Sequence, residues 1–111
     1  MRDTVILISS QFLGKGEGEL GEALLENYFT LLKQNQEKPA AVFFVNSGVL
    51  ALTEQSLASL HIKELSEQEV PILACKTCVG YYDVESELVT GEISTMKHFI
   101  ELSSNYRIIS L

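Results

Sequence analysis

The sequence predicts an α/β fold, a three-layer α/β/α sandwich around a mostly parallel sheet. Two observations predict it. Apolar runs at Thr4–Ser9, Ala40–Val45 and Pro71–Ala74 are short and continuous rather than alternating, as in strands buried on both faces. Between and after them lie stretches with helical spacing, so the chain reads β-α-β-α-β-(α)-α-β, an order that implies right-handed crossovers and helices on both sides of the sheet.

Thr4 to Ser9 is the first strand, and Ser9 to Gly18 a polar, glycine-bearing loop. From Glu19 the period becomes 3.6. Leu20, Leu24, Tyr28, Leu31 and Leu32 mark the apolar stripe, and Ala23, Leu25 and Phe29 widen it. Glu19, Glu22 and Glu26 lie near the start of this helix and Lys33 near its end, an order that complements the helix dipole. Asn35 to Pro39 ends it. Ala40 to Val45 is the second strand, closing in a turn at Asn46-Ser47-Gly48. Thr53 is the expected N-cap of a helix over Glu54 to Leu65, with Leu57, Leu60 and Leu65 facing inward. Pro71 to Ala74 is the third strand, with proline at its first residue, where a missing N–H is tolerated. A short helix or turn runs on through Tyr81, and a second short element surrounds Val84 to Leu88. Thr90-Gly91-Glu92 breaks the chain, Ser94 or Thr95 caps a last helix over Met96 to Leu102, and Tyr106 to Ile109 is the closing strand.

With 111 residues, the whole span 1–111 reads as one domain with enough chain for a core. Hydrophobic residues make up 46% and charged residues 21%, which excludes a disordered chain. The formal net charge is -7, and the few basic residues form no stripe, so neither nucleic acid nor an anionic membrane is an expected partner. No segment is long and apolar enough to cross a bilayer, and the N-terminal apolar run is too short for a signal peptide. A cytoplasmic protein is expected, in which a pair of thiols is catalytic or metal-binding more often than structural.

Both cysteines fall in one stretch, Pro71-Ile-Leu-Ala-Cys-Lys-Thr-Cys-Val-Gly-Tyr-Tyr82. Cys75 and Cys78 stand where a buried strand ends, the place at which open α/β sheets hold their ligands. Lys76 adds a positive charge, which favours the reactive thiolate, whereas Asp83, Glu85 and Glu87 oppose it. Such a pair can cycle between dithiol and disulfide, carry sulfur as a persulfide, or supply half of a zinc site. His61 and His98 lack ligand spacing to the pair and read as surface residues, so no metal is expected. The alternative is two small hydrophobes in the core. Asn46, Ser47 and Gly48, also at a strand end, can face the thiols and offer an amide to an anion. Tyr81 and Tyr82 can wall a thiol pocket. The literal Gly16-x-Gly18-x-x-Gly21 match lies several residues beyond the first strand and carries Glu17 and Glu19. A pyrophosphate would meet negative charge there, so no nucleotide cofactor is expected.

Four segments in one order carry a resemblance: Gly14-Lys-Gly-Glu-Gly-Glu-Leu-Gly21, Phe44-Val-Asn-Ser-Gly-Val49, Ile72-Leu-Ala-Cys-Lys-Thr-Cys78 with Tyr81-Tyr82, and Gly91-Glu-Ile-Ser-Thr-Met96. From Ile6 to Ile109 the chain resembles the DsrE-like superfamily, most of all the C-terminal domain of YedF-type sulfurtransferase-like proteins of selenium metabolism. It departs from that pattern at Lys76, where glycine is favoured, and at Thr95-Met96-Lys97. The resemblance implies a DsrE-like sandwich assembled as a homo-oligomer, a trimer or hexamer, and a persulfide on Cys75.

The expected function is a small sulfur or selenium carrier without a cofactor, exchanging with a TusA-like donor or acceptor protein. Cys75 accepts the sulfur, Cys78 resolves or shields it, Thr77 caps the turn, and Asn46 stabilises the anionic outer sulfur. Asn46, Ser47, Gly48, Lys76, Thr77, Tyr81 and Tyr82 form the expected binding surround. The competing expectation is a non-catalytic oligomeric binding module whose cysteines are structural.

Overall fold

The apolar runs of the sequence meet in one sheet. The computed structural model describes residues 1–111 and has strands β1 (Thr4–Ile8), β2 (Ala41–Phe44), β3 (Ile72–Cys75), β4 (Glu92–Ser94) and β5 (Arg107–Ser110). All neighbouring strands are parallel, in the order β4-β3-β2-β1-β5. The connections hold α1 (Gly18–Gln34), α2 (Ser59–Ser66), α3 (Lys76–Tyr82) and α4 (Met96–Asn105), with 3-10 turns at Asn46–Leu52 and Glu85–Glu87. The expected α/β sandwich is the observed one, and its sheet is parallel throughout.

Successive strand residues point to opposite faces, and both faces are covered. On one, Ile6, Ile8, Val42, Phe44, Ile72 and Ala74 meet Leu25, Phe29 and Leu32 of α1, Ile62 and Leu65 of α2, and Val49, Ala51 and Leu52 of the first 3-10 turn. On the other, Val5, Ala41, Phe43, Leu73 and Cys75 pack against Phe99 and Leu102 of α4, with the Phe43 and Phe99 rings 5.0 Å apart. The first cluster contains 18 buried residues and the second 5, so a single helix covers the face on which Cys75 lies.

Three expectations change. The helix expected from Glu54 begins at Ser59, because Asn46–Leu52 winds into a 3-10 helix and Thr53 closes that turn instead of capping the next, its hydroxyl donating to the Leu50 carbonyl at 2.8 Å. The buried face of α2 therefore consists of Ser59, Ile62 and Leu65, while Leu57 is exposed and Leu60 is 64% exposed. In α1 the residues that widened the stripe are the buried ones, Leu25 and Phe29 with Leu32, and Leu20, Leu24 and Leu31 face outward. A helix apolar around more than half its circumference turns its bulkiest ring, Phe29, to the sheet, where it stacks on Phe44 at 6.1 Å. The break at Glu92 is instead a three-residue edge strand, β4, too short to show a period in sequence. Thr95 caps α4 as expected, accepting from the His98 N–H at 3.1 Å.

His61 is not a free surface residue. Its Nε2 lies 3.4 Å from Glu26 on α1, and Lys33 donates to its Nδ1 at 3.0 Å. Lys33 also bonds Glu64 and holds that carboxyl below the ordinary carboxylate range, so α1 and α2 are joined along their outer edge.

The first 3-10 turn sits directly against the end of β1. Val45 N–H donates to the Ile8 carbonyl at 2.9 Å, and a Cβ added at Gly48 would lie 2.2 Å from that same oxygen. Only glycine fits there. Gly48→Ala is expected to cost about 2 kcal/mol or more through overpacking against backbone, read as a lower urea midpoint at unchanged m-value. An unchanged midpoint would show that the turn moves aside freely.

Candidate functional site

β3 ends at Cys75, and the next residue begins α3, so Cys75 occupies the position before the first helical turn and Cys78 the third residue inside it. The strand buries Cys75 to 4% exposure on the α4 face. One turn on, Cys78 is partly exposed and packs against both clusters at the end of the sheet.

β2 runs parallel to β3, with Phe44 in register with Ala74, so the chain leaving β2 passes beside the start of α3. There Asn46 adopts φ +53°, a left-handed conformation that asparagine tolerates better than most residues. Its side-chain oxygen accepts from the Ser47 N–H at 2.9 Å, fixing the turn, and its own backbone N–H donates to Cys78 Sγ at 3.0 Å. Asn46, Thr77, Cys78, Tyr81 and Tyr82 line an open cavity of ≈ 370 Å³. Tyr81 is 82% exposed, with its ring 5.1 Å from that of Tyr82 in an edge-to-face pair that forms the outer wall. A second depression of ≈ 400 Å³, lined in part by Ser66, Pro71, Ile72 and Gly91, lies at the opposite end of β3 and holds no thiol.

Five of the nine expected site residues therefore line one cavity. Cys75 is buried and outside the lining. Gly48 is buried against β1 in a structural role, and Ser47 and the exposed Lys76 are outside the lining. Thr77 does not cap the turn: the cap position belongs to Cys75, which makes no side-chain capping bond, and Thr77 is exposed at the cavity wall. The Gly16-x-Gly18-x-x-Gly21 segment is helix entry, where an added Gly21 Cβ would lie 2.7 Å from Phe12 Cβ.

The Cys78 thiol titrates above its ordinary value. Burial is the largest cause, the Asn46 N–H partly offsets it by stabilising the thiolate, and the neighbouring Cys75 thiol raises it again. The opposing carboxylates expected at Asp83, Glu85 and Glu87 are not the cause. With seven residues, α3 is also too short for a large dipole to favour the anion.

Ser94, read from the sequence as an alternative cap of the last helix, and His98, read as a surface residue, instead form a pair next to Cys75. Ser94 on β4 stands in register with Cys75, is buried, and its hydroxyl lies 2.7 Å from His98 Nδ1. The pairing becomes legible only once β4 is known to be a strand.

The chain belongs to the DsrE/DsrF-like family, which it matches over residues 15–111, a family associated with sulfur relay in general. Solved structures share its fold. The ychN protein from E. coli superposes with a TM-score of 0.74 at 19% identity, covering 100% of both chains. MTH1491 from Methanobacterium thermoautotrophicum gives 0.63 at 18% identity over 97% of each chain, and BT1422 from Bacteroides thetaiotaomicron gives 0.68 at 15% over 98% of this chain and 95% of that one. No curated protein matches the chain. No helix is long and apolar enough to cross a membrane.

The causes of the thiol shift give a direct test. Alkylation of Cys78 is expected to reach half its limiting rate at higher pH than free cysteine, and Cys75→Ala to move that midpoint down by removing one of the two causes that raise it. A midpoint unmoved or raised by Cys75→Ala would show that the two thiols do not interact.

Proposed function

We propose that the chain is a cytoplasmic sulfur carrier that accepts a sulfane sulfur on Cys78, holds it as a persulfide and passes it to a partner protein. The observation that carries this reading is a half-buried thiol facing an open cavity with a backbone N–H donated to its sulfur at 3.0 Å. In the loading step the Cys78 thiolate attacks the outer sulfur of a donor persulfide. A Cys78–S–S⁻ persulfide forms, the donor's S–S bond breaks, and the donor leaves as a thiol that keeps the proton. A fixed N–H near developing negative charge stabilises it without reorganisation, and Asn46 supplies that donor. Tyr81 and Tyr82 form the outer wall of the cavity.

The sequence alone favoured Cys75 as the first acceptor. With 4% exposure and no place in the cavity lining, Cys75 is poorly reached by a donor, so this reading gives the first sulfur to Cys78 and a supporting part to Cys75. The resemblance to YedF-type proteins extends the cargo to selenium held by the same thiol. The partner is a TusA-like sulfur-transfer protein presenting its own thiol at the cavity mouth.

Assembly belongs to the same proposal. Leu20, Leu24 and Leu31 form an exposed line on α1, and Met96 and Ile100 are exposed on α4. Apolar rows of this kind support the trimer or hexamer that the sequence resemblance implied. The competing reading, a binding module with inert cysteines, draws on the raised Cys78 titration, which disfavours a reactive thiol.

Mass spectrometry decides between the two. Brief exposure to a low-molecular-weight persulfide is expected to add one sulfur atom to wild type and to Cys75→Ala, and none to Cys78→Ala. No gain in wild type, or the same gain in Cys78→Ala, overturns the carrier reading. For assembly, Leu24→Glu with Leu31→Glu is expected to reduce the light-scattering mass to that of one chain, and a monomeric wild type would refute it.

A further inference from the structure

We infer that the thiol pair discharges its own cargo: Cys75 attacks the persulfide on Cys78, closes a Cys75–Cys78 disulfide and expels the outer sulfur as hydrosulfide. This rests on the carrier reading above and adds a second fate for the sulfur, release in place of transfer.

Position makes the attack intramolecular. Cys75 holds the residue position just before α3 and Cys78 the third position within it, the spacing at which a cap side chain reaches back over the first turn. Cys78 packs against the cluster that contains Cys75, and Cys75 is one of the groups that raise its titration. Residues three apart on a helical turn are neighbours, and the disulfide closes once the two sulfurs move to bonding distance. Their exposures divide the labour. Cys78 lines the cavity and meets the donor, whereas Cys75 is 4% exposed and outside the lining, so it acts from within the protein. Cys75 makes no capping hydrogen bond, so its sulfur is not tied to the α3 backbone. The opposite end of the persulfide points to the cavity, through which a small anion can leave.

The step balances. The Cys75 S–H and the Cys78–S–S⁻ persulfide give a Cys75–S–S–Cys78 disulfide and HS⁻, with the Cys75 proton leaving on the hydrosulfide. The outer sulfur takes up two electrons and the two cysteine sulfurs give them. Reopening the pair requires a dithiol reductant, which completes a cycle that turns sulfane sulfur into sulfide. Until then both thiols are blocked and the carrier is closed to a new donor.

The experiment loads the full chain briefly with a low-molecular-weight persulfide, removes the excess, and follows free sulfide and protein mass without reductant. Wild type is expected to release sulfide in step with loss of the added sulfur and of two hydrogens. Cys75→Ala and Cys75→Ser are expected to keep the sulfur at least about tenfold longer, because they lose the intramolecular nucleophile. Equal persistence in wild type and both variants, with loading intact, overturns the inference and leaves the carrier reading standing. If wild type takes up no sulfur at all, the carrier reading falls and this inference with it. A dithiol added after discharge is expected to restore loading in wild type.

Discussion

The site depends on one contact between the segments that follow β2 and β3, the Asn46 N–H donated to Cys78 Sγ. Neither residue could make it alone. β2 and β3 must run parallel and end at the same edge, so that the chain beyond β2 and the first turn beyond β3 come together. The backbone at Asn46 must turn left-handed, and its side chain holds that turn by accepting from Ser47. Gly48 must then let the 3-10 helix seat against the Ile8 carbonyl, where any Cβ would collide. Each condition is structural, and together they aim one amide at one sulfur.

The same arrangement explains why the thiol is not strongly acidic. Burial against two apolar clusters and a neighbouring thiol both disfavour the thiolate, and a single N–H donor offsets them only in part. The environment suits a group that must be kept from water more than one that must react quickly with any electrophile. Cys75 lies on the thinner side, where the five buried strand residues are covered by Phe99 and Leu102 of α4, and it stands in register with Ser94, which bonds His98. The pair of thiols thus spans the sheet's end from the cavity to the sparsely covered face.

Much of the fold was legible because a parallel sheet buried on both faces writes continuous apolar runs into the chain. β1, β2, β3 and α1 followed from such runs and from the 3.6 period. Where several registers satisfied the pattern, the sequence could not choose. Helix α1 has leucines around most of its circumference, so the ring of Phe29, stacking on Phe44, decided its orientation. Thr53 is a plausible cap for any helix that follows, yet the 3-10 turn before it claimed its hydroxyl. β4 has three residues and no period to read. The site was legible to the level of the two thiols and of Asn46, because strand ends mark it. Which thiol faces outward was not, since it depends on the one-turn offset between the last strand residue and the third helical residue. The general rule for open α/β sheets places ligands at a switch in strand order. In the order β4-β3-β2-β1-β5 that switch lies between β1 and β5, whereas the thiol cavity lies at the ends of β2 and β3. The strand-end half of the rule applies here and the switch-point half does not.

A thiol held above its ordinary titration has a consequence for partners. A raised titration leaves less thiolate at a given pH, so on the proposed carrier reading a small persulfide loads Cys78 more slowly than it would load a free thiol. On the proposed reading, a donor protein offsets that loss by holding its persulfide against Cys78 for the lifetime of a complex, which raises the local concentration and supplies orientation. It can also bring a base or a cation to a rim where Lys76 is the exposed charge between the two cysteines. The cavity favours such delivery: it is open, walled by the exposed Tyr81, and part of a chain whose net charge of -7 attracts basic surfaces. On that reading, slower reaction with stray electrophiles and faster reaction with a docked donor are two results of the same half-buried sulfur.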